Sequence, residues 1–129
     1  MMLVKTHLKE STIPGAGLGC FASQFIPKNS LIWLFESSLD RRITEDAFQM
    51  FSTIDKEFVS KYAYKHNGTY YLCVDNGRFI NHSETPNTFE HKEIQATLAS
   101  RDIQEGEEIL SDYTQFGLTE EDLKHNTDI

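Results

Sequence analysis

The chain has 129 residues with 12 Lys/Arg against 20 Asp/Glu, a formal net charge of −8. That length suits one domain, and 39% hydrophobic with 12% aromatic residues argues against disorder. No basic stripe exists to neutralise phosphates, which argues against direct nucleic-acid binding, and apolar runs of about five residues are too short to span a membrane.

In chain order, Leu3–Leu8 predicts a strand, and Ser11–Gly19 a glycine-rich turn around Pro14. Phe21-Ala22 and Leu31–Phe35 predict strands, the second buried on both faces because its apolar residues do not alternate. Thr44, followed by Glu45-Asp46, predicts the cap of a helix running to about Met50-Phe51. Asp55 predicts the cap of a second short helix carrying Phe58 and Val59. Tyr62–His66 and Thr69–Val74 flank Asn67-Gly68, a pair that supplies the positive φ angles of a tight hairpin turn. Further strands are expected at Thr88–His91, Glu93–Ala99 and Glu108–Leu110, and a short capped helix after Thr119. Many short strands with few helices point to an irregular, mostly β fold.

Met1-Met2-Leu3-Val4-Lys5 lacks the apolar stretch of a signal peptide, so the expectation is an intracellular chain that is not secreted. The N-x-S/T patterns at Asn67 and Asn81 are then chance matches. Cys20 and Cys73 are expected to be free and buried. Neither they nor the scattered His7, His66, His91 and His125 have metal-ligand spacing, so no metal is expected. The charge is uneven: residues 1–83 hold nine Lys/Arg and eight Asp/Glu, residues 84–129 three and twelve. That acidic third serves either solubility or an acidic rim that steers a basic peptide.

Three segments carry the chemistry. They are Gly15-Ala16-Gly17-Leu18-Gly19-Cys20-Phe21-Ala22, then Arg78-Phe79-Ile80-Asn81-His82-Ser83 with Pro86-Asn87, then Glu107-Glu108-Ile109-Leu110-Ser111-Asp112-Tyr113. The first is not a dinucleotide loop: Cys20 stands at the sixth position of that pattern, and Phe21-Ala22 then Pro27 follow where a helix should. In this order and spacing the three resemble the motifs GxGxG(V/L/C)FA, RFINHSxxPN and GEELxxDY of the SET-domain protein lysine methyltransferases. The resemblance spans roughly residues 3–117.

The resemblance implies a single SET domain over residues 1–129, with 118–129 a short C-terminal tail or helix. It implies a β-clip-like fold of several small twisted sheets, short helices and a C-terminal pseudoknot in which a later segment passes the Asn-His-Ser strand. It implies an S-adenosyl-L-methionine-dependent transfer of methyl groups to a lysine of a basic protein or peptide, a histone tail being the family default, by a monomer or homodimer. The alternative is a non-catalytic SET fold that holds a peptide or cofactor. Tyr113 is the catalytic residue by this resemblance. Gly17, Leu18, Gly19, Tyr62, Arg78, Asn81, His82 and Phe116 are the cofactor-binding residues. Arg78 has an alternative as ion-pair partner of Asp112. The zinc-binding cysteines of many relatives have no counterpart, and only Asn76-Gly77 link Asp75 to Arg78. Ser111 stands where a Phe or Tyr often limits the number of methyl groups.

Overall fold

A computed structural model describes residues 1–116, with Phe116 described by its backbone alone. Short strands dominate, in four small sheets, as the sequence pattern implies. β1 (Thr6–Glu10) and β2 (Leu18–Ala22) form an antiparallel hairpin from Thr6↔Ala22 to Glu10↔Leu18. Its loop holds the first motif, with Gly15 and Gly17 at φ near +79° and +76°, conformations that tax any side chain. The first strand therefore lies later than Leu3–Leu8. The glycine segment ends two residues early because Leu18 and Gly19 have partners in β1.

β3 (Leu31–Leu34), β9 (Ala96–Ala99) and β8 (Thr88–Glu90) form an antiparallel sheet with β9 central. Only Ile32 and Trp33 of β3 are buried, and Leu31 and Leu34 are exposed, so burial on both faces holds at the strand's centre alone. β4 (Arg41–Ile43), which hydrophobic patterning misses, pairs with β6 (Thr69–Leu72), and β6 pairs with β5 (Ala63–His66). Asn67 and Gly68 make the expected turn with φ of +50° and +77°.

α1 (Glu45–Gln49) is capped by Thr44, whose hydroxyl accepts from the Ala47 amide. α2 (Thr53–Tyr62) starts three residues earlier than Asp55 suggests. Ser52 is its cap, and its hydroxyl accepts from the Asp55 amide. Tyr62 is thus the last residue of a helix and not the first of a strand. The strand expected from Glu93 begins only at Ala96, because Glu93 and Ile94 donate their amides to His91 Nδ1 in a turn. The third motif contributes β10 (Leu110–Ser111), parallel to β7 (Asn81–His82). The helix expected after Thr119 and the tail 118–129 lie outside the described residues.

One apolar cluster joins Cys20, Ala22, Ile26, Ile32, Ile103 and Ile109, all fully buried. A second forms under α1 and α2 from Phe48, Val59 and Ala63, where Phe48 stacks on Tyr70 at 4.4 Å. Both cysteines are free and buried, and burial pushes both thiols up, Cys20 to about 12, which disfavours the reactive thiolate.

Candidate active site

The second and third motifs are locked together by backbone and by one amide. β7 and β10 register Leu110 against Asn81 and Ser111 against His82, and the Ser83 amide donates to the Ser111 carbonyl at 2.9 Å. Asn87, 3% exposed, donates to the Glu108 carbonyl at 2.8 Å and accepts from the Leu110 amide at 2.9 Å, so its side chain replaces a strand neighbour. Thr88 Oγ1 donates to the Leu110 carbonyl at 2.9 Å. This is the docking of a late segment beside the Asn-His-Ser strand that a SET pseudoknot requires.

Glu108 ties in the first motif. Its carboxylate accepts from Ser11 Oγ at 2.7 Å, from the Thr12 amide at 2.7 Å, from Thr12 Oγ1 at 2.6 Å and from Asn81 Nδ2 at 3.2 Å. Burial pushes this carboxyl up, but the donors outweigh burial and hold it below the usual carboxylate range. A Cβ on Gly19 would lie 2.4 Å from Glu108 Oε2. Gly19 is therefore glycine to admit Glu108, whereas Gly17 and Leu18 face a cavity.

Two cavities flank the motifs. The larger, about 330 Å³, lies between the 13–18 loop and Tyr62, Arg78, Phe79, Asn81 and His82. The second is a narrow channel of about 60 Å³ with an aromatic wall of Trp33, Tyr62, Tyr64 and Tyr113, completed by Ser111 and Thr97. Tyr62, Arg78 and Tyr113 belong to both, so the two meet at these side chains.

Polar atoms around the larger cavity have unused capacity. Asn81 Nδ2 donates to the Leu18 carbonyl at 3.1 Å and to Glu108. Both partners are acceptors, which fixes the amide orientation and leaves Oδ1 as an acceptor. Arg78 stacks over the rings of Tyr62 and Phe79, and its Nε is buried without a partner among the described residues. The ion pair with Asp112 is not formed. Asp112 lies 3.9 Å from His82 Nδ1 instead. An open acceptor and an orphaned cationic donor suit the ammonium and carboxylate of an amino-acid moiety, so the residues fit S-adenosylmethionine.

Tyr113 is held from two sides. Its amide donates to His82 Nδ1 at 3.0 Å, and its hydroxyl makes a short hydrogen bond to the Ile80 carbonyl. Burial, then the nearby Cys73, push the phenol well above its ordinary range, so at neutral pH the hydroxyl is intact. It can orient a partner through that oxygen.

Of the residues expected at the site, Gly17, Leu18, Tyr62, Arg78, Asn81, His82 and Tyr113 converge on these cavities. Gly19 turns to Glu108, and the Phe116 side chain lies outside the described residues. Sequence reasoning assigned no role to Glu108, Asn87 or Trp33. Glu108 and Asn87 stood inside the motifs, and a buried Trp33 on the channel wall carries no signal in spacing.

The fold and the meeting cavities define a small multi-sheet β protein with a two-sided site. A family model for the SET domain matches residues 17–114, most of the chain, and the protein belongs to the SET-domain family. No curated protein sequence matches the chain at significance. Among solved structures, a humanized mutant of the Chaetomium thermophilum Polycomb Repressive Complex 2 bound to an inhibitor aligns with 88% of this chain at 19% identity and a TM-score of 0.66. The Chaetomium complex bound to S-adenosylmethionine aligns equally well. The chain spans only 15% of those proteins' length. A Plasmodium falciparum protein designated a histone methyltransferase has 22% identity and a TM-score of 0.59, over 87% of this chain and 95% of its own. At these identities the likeness is one of fold.

Proposed function

We propose that this chain is an S-adenosylmethionine-dependent protein-lysine N-methyltransferase acting on a basic protein inside the cell, a histone tail first among candidates. The observation that carries this is the meeting of a polar, loop-edged cavity with a narrow aromatic channel at Tyr113. Transfer of a methyl to an amine is an in-line displacement, and it needs two reactants brought together from opposite sides along one axis. When bound, S-adenosylmethionine supplies an electrophilic methyl on a sulfonium. The backbone of Gly17 and Leu18, the Asn81 carbonyl oxygen and the Arg78 guanidinium hold its amino-acid end in the larger cavity.

The channel accepts the lysine side chain. A lysine amine, pKa ~10.4, costs roughly 4–5 kcal/mol to deprotonate at pH 7. An apolar wall disfavours its charged form and lowers that cost. The Tyr113 oxygen, its proton engaged by the Ile80 carbonyl, can accept from the amine and align its lone pair.

Calorimetric titration with S-adenosylmethionine, followed by radiolabelled methyl transfer to core histones and a lysine peptide library, tests the proposal. Wild type should bind and transfer. Asn81→Ala should weaken cofactor binding by ~1–3 kcal/mol, the worth of a hydrogen bond to a charged group. Binding without transfer would leave a non-catalytic SET fold, and no binding would reject the assignment.

A further inference from the structure

Beside the channel lies an open cleft of about 590 Å³, lined by Tyr64, Phe89, Glu90, Glu93 and Gln115 among others. Tyr64 lines both cleft and channel. Glu90 and Thr97 are cross-strand partners on β8 and β9, so their side chains lie on one face of the sheet. Thr97 is 4% exposed and forms part of the channel wall. Its hydroxyl donates to both oxygens of Glu90, at 2.7 and 2.9 Å. Among the described residues no cation pairs with this carboxylate. A half-buried carboxylate with no cation partner is costly to keep charged, and among the described residues Thr97 is the one side chain that bonds it.

We propose that Thr97 and Glu90 form a proton relay that draws the ammonium proton of the incoming lysine out of the channel and delivers it to the open cleft. The inference rests on the lysine methyltransferase assignment and adds what that assignment lacks, a way for the proton to leave. The ammonium gives its proton to Thr97 Oγ1 while the hydroxyl proton of Thr97 passes to the Glu90 carboxylate. The N–H bond breaks, its electron pair stays on nitrogen, and Glu90 becomes a neutral acid. That lone pair then forms the new N–C bond as the methyl leaves sulfur, whose bonding pair remains there as a thioether. Glu90 returns its proton to water through the cleft. The Tyr113 hydroxyl donates to the Ile80 carbonyl, which takes up no proton, whereas the Thr97 hydroxyl donates to a carboxylate that can.

The surroundings suit an acceptor working near neutrality. Burial raises the Glu90 carboxyl to about 7, against a smaller lowering by Thr97. The titratable groups facing it are Tyr64 and His66 from β5, Cys73 beyond β6, and His91, Lys92 and Glu93 beyond β8. β9 presents only the Thr97 hydroxyl, and the turn after Tyr113 presents the neutral Gln115, which accepts from the Glu90 amide at 3.1 Å. Tyr64 and Cys73 are held neutral by burial, so neither competes for the proton.

The test is the pH dependence of methyl transfer to core histones by wild type, Glu90→Gln, Thr97→Val and Thr97→Ser. The first two variants should transfer on the order of 100-fold more slowly at pH 7, the low end of the range for a lost proton-transfer group. Their deficit should shrink to about threefold by pH 9.5, where solution supplies more neutral lysine. Thr97→Ser, which keeps the hydroxyl, should recover most of the rate lost in Thr97→Val. Cofactor affinity should be the same in all four. Glutamate labelled with ¹³C at its carboxyl gives a readout without turnover: the resonance missing from Glu90→Gln should titrate near neutral pH in wild type. Equal pH profiles for wild type and Glu90→Gln, a deficit that does not narrow with pH, or a Glu90 resonance titrating with the surface carboxylates would each overturn the relay alone. Absence of transfer by wild type to histones and to every library peptide would overturn the methyltransferase assignment and the relay with it.

Discussion

Glu108→Gln is the sharpest perturbation of the site that touches neither cavity. The wild-type carboxylate is 6% exposed and meets two donors at each oxygen: the Thr12 amide and hydroxyl at Oε1, Ser11 and Asn81 at Oε2. A glutamine must place its NH₂ against one of these pairs. The less costly choice is the Oε2 position, where the Ser11 hydroxyl can rotate to accept. The Asn81 amide is then opposed by another donor and must flip or withdraw. Losing that bond and the charge on the others should cost about 2–4 kcal/mol, one to two charge-assisted hydrogen bonds. In urea, with a slope of ~1–3 kcal/mol/M for a small protein, the midpoint should fall by roughly 1–3 M at unchanged slope. Cofactor affinity should fall too, because Asn81 loses its fixed orientation. The sign of the pH effect follows from the depressed carboxyl. Its stabilisation is present above the ordinary carboxylate pKa and is lost as pH falls through the lower folded value. Wild type should therefore have an acid limb that Glu108→Gln lacks. Gly19→Ala should destabilise wild type yet be tolerated in Glu108→Ala, where the carboxylate it would strike is gone. An unchanged urea midpoint and acid limb in Glu108→Gln would refute the claim that this carboxylate holds the loop.

Tyr113→Phe should cut kcat at least tenfold while cofactor affinity stays within about threefold, since the hydroxyl acts on the amine in the transition state. Steady-state kinetics with calorimetry decide this, and near-normal turnover would make Tyr113 a wall only. Wild type should add at least two methyl groups to one lysine, because Ser111 leaves the channel wall small there, and Ser111→Tyr should shift the product toward monomethyl-lysine. Mass spectrometry of the exhaustively reacted peptide reads this out, and only monomethyl product from wild type would refute it. Glu90→Gln should be more stable than wild type at pH 8 and equal to it near pH 4. The folded carboxyl is raised from 4.5 to about 7, so its contribution is fully present below 4.5 and lost as pH rises through 7, about 3 kcal/mol in all. Urea unfolding at both pH values checks it.

Where local chemistry decides local structure, the sequence was a good guide. Asn67-Gly68 made its turn because both residues accept positive φ, and Thr44 capped its helix because an acidic turn followed. The three motifs predicted their own convergence through resemblance, and nothing in their spacing required β7 and β10 to pair in parallel. What the sequence did not show was which of several available partners each residue meets in the fold. Asp55 had the composition of a cap, but Ser52 three residues earlier presents its hydroxyl to the Asp55 amide. Arg78 had an acid within reach in the sequence logic, but stacking on Tyr62 and Phe79 set its place. Gly19 was read by resemblance as a cofactor residue, and spacing gave no sign that a Cβ there would also strike Glu108, 89 residues on. β4 gave no hydrophobic signal because it is held by pairing with β6 and not by a buried face.

The acidic last third shows the same division most clearly. As composition it is a single excess of charge, available for solubility or for steering. In the fold it separates by task. Glu84, Glu93, Asp102 and Glu105 are exposed and carry the surface charge. Glu107 pairs with Arg101 at 2.9 Å. Glu108 and Glu90 turn inward, and burial acts on both in the same direction. They part because Glu108 meets donors enough to outweigh its desolvation while Glu90 meets one hydroxyl. A carboxylate satisfied by four donors stays ionised and serves as a fixed anchor. One with a single donor rests near its titration point and can exchange a proton in each cycle. Environments that drive two like groups apart are how one fold assigns them different work, and here one is bonded to Ser11, Thr12 and Asn81 while the other lines the open cleft behind Thr97.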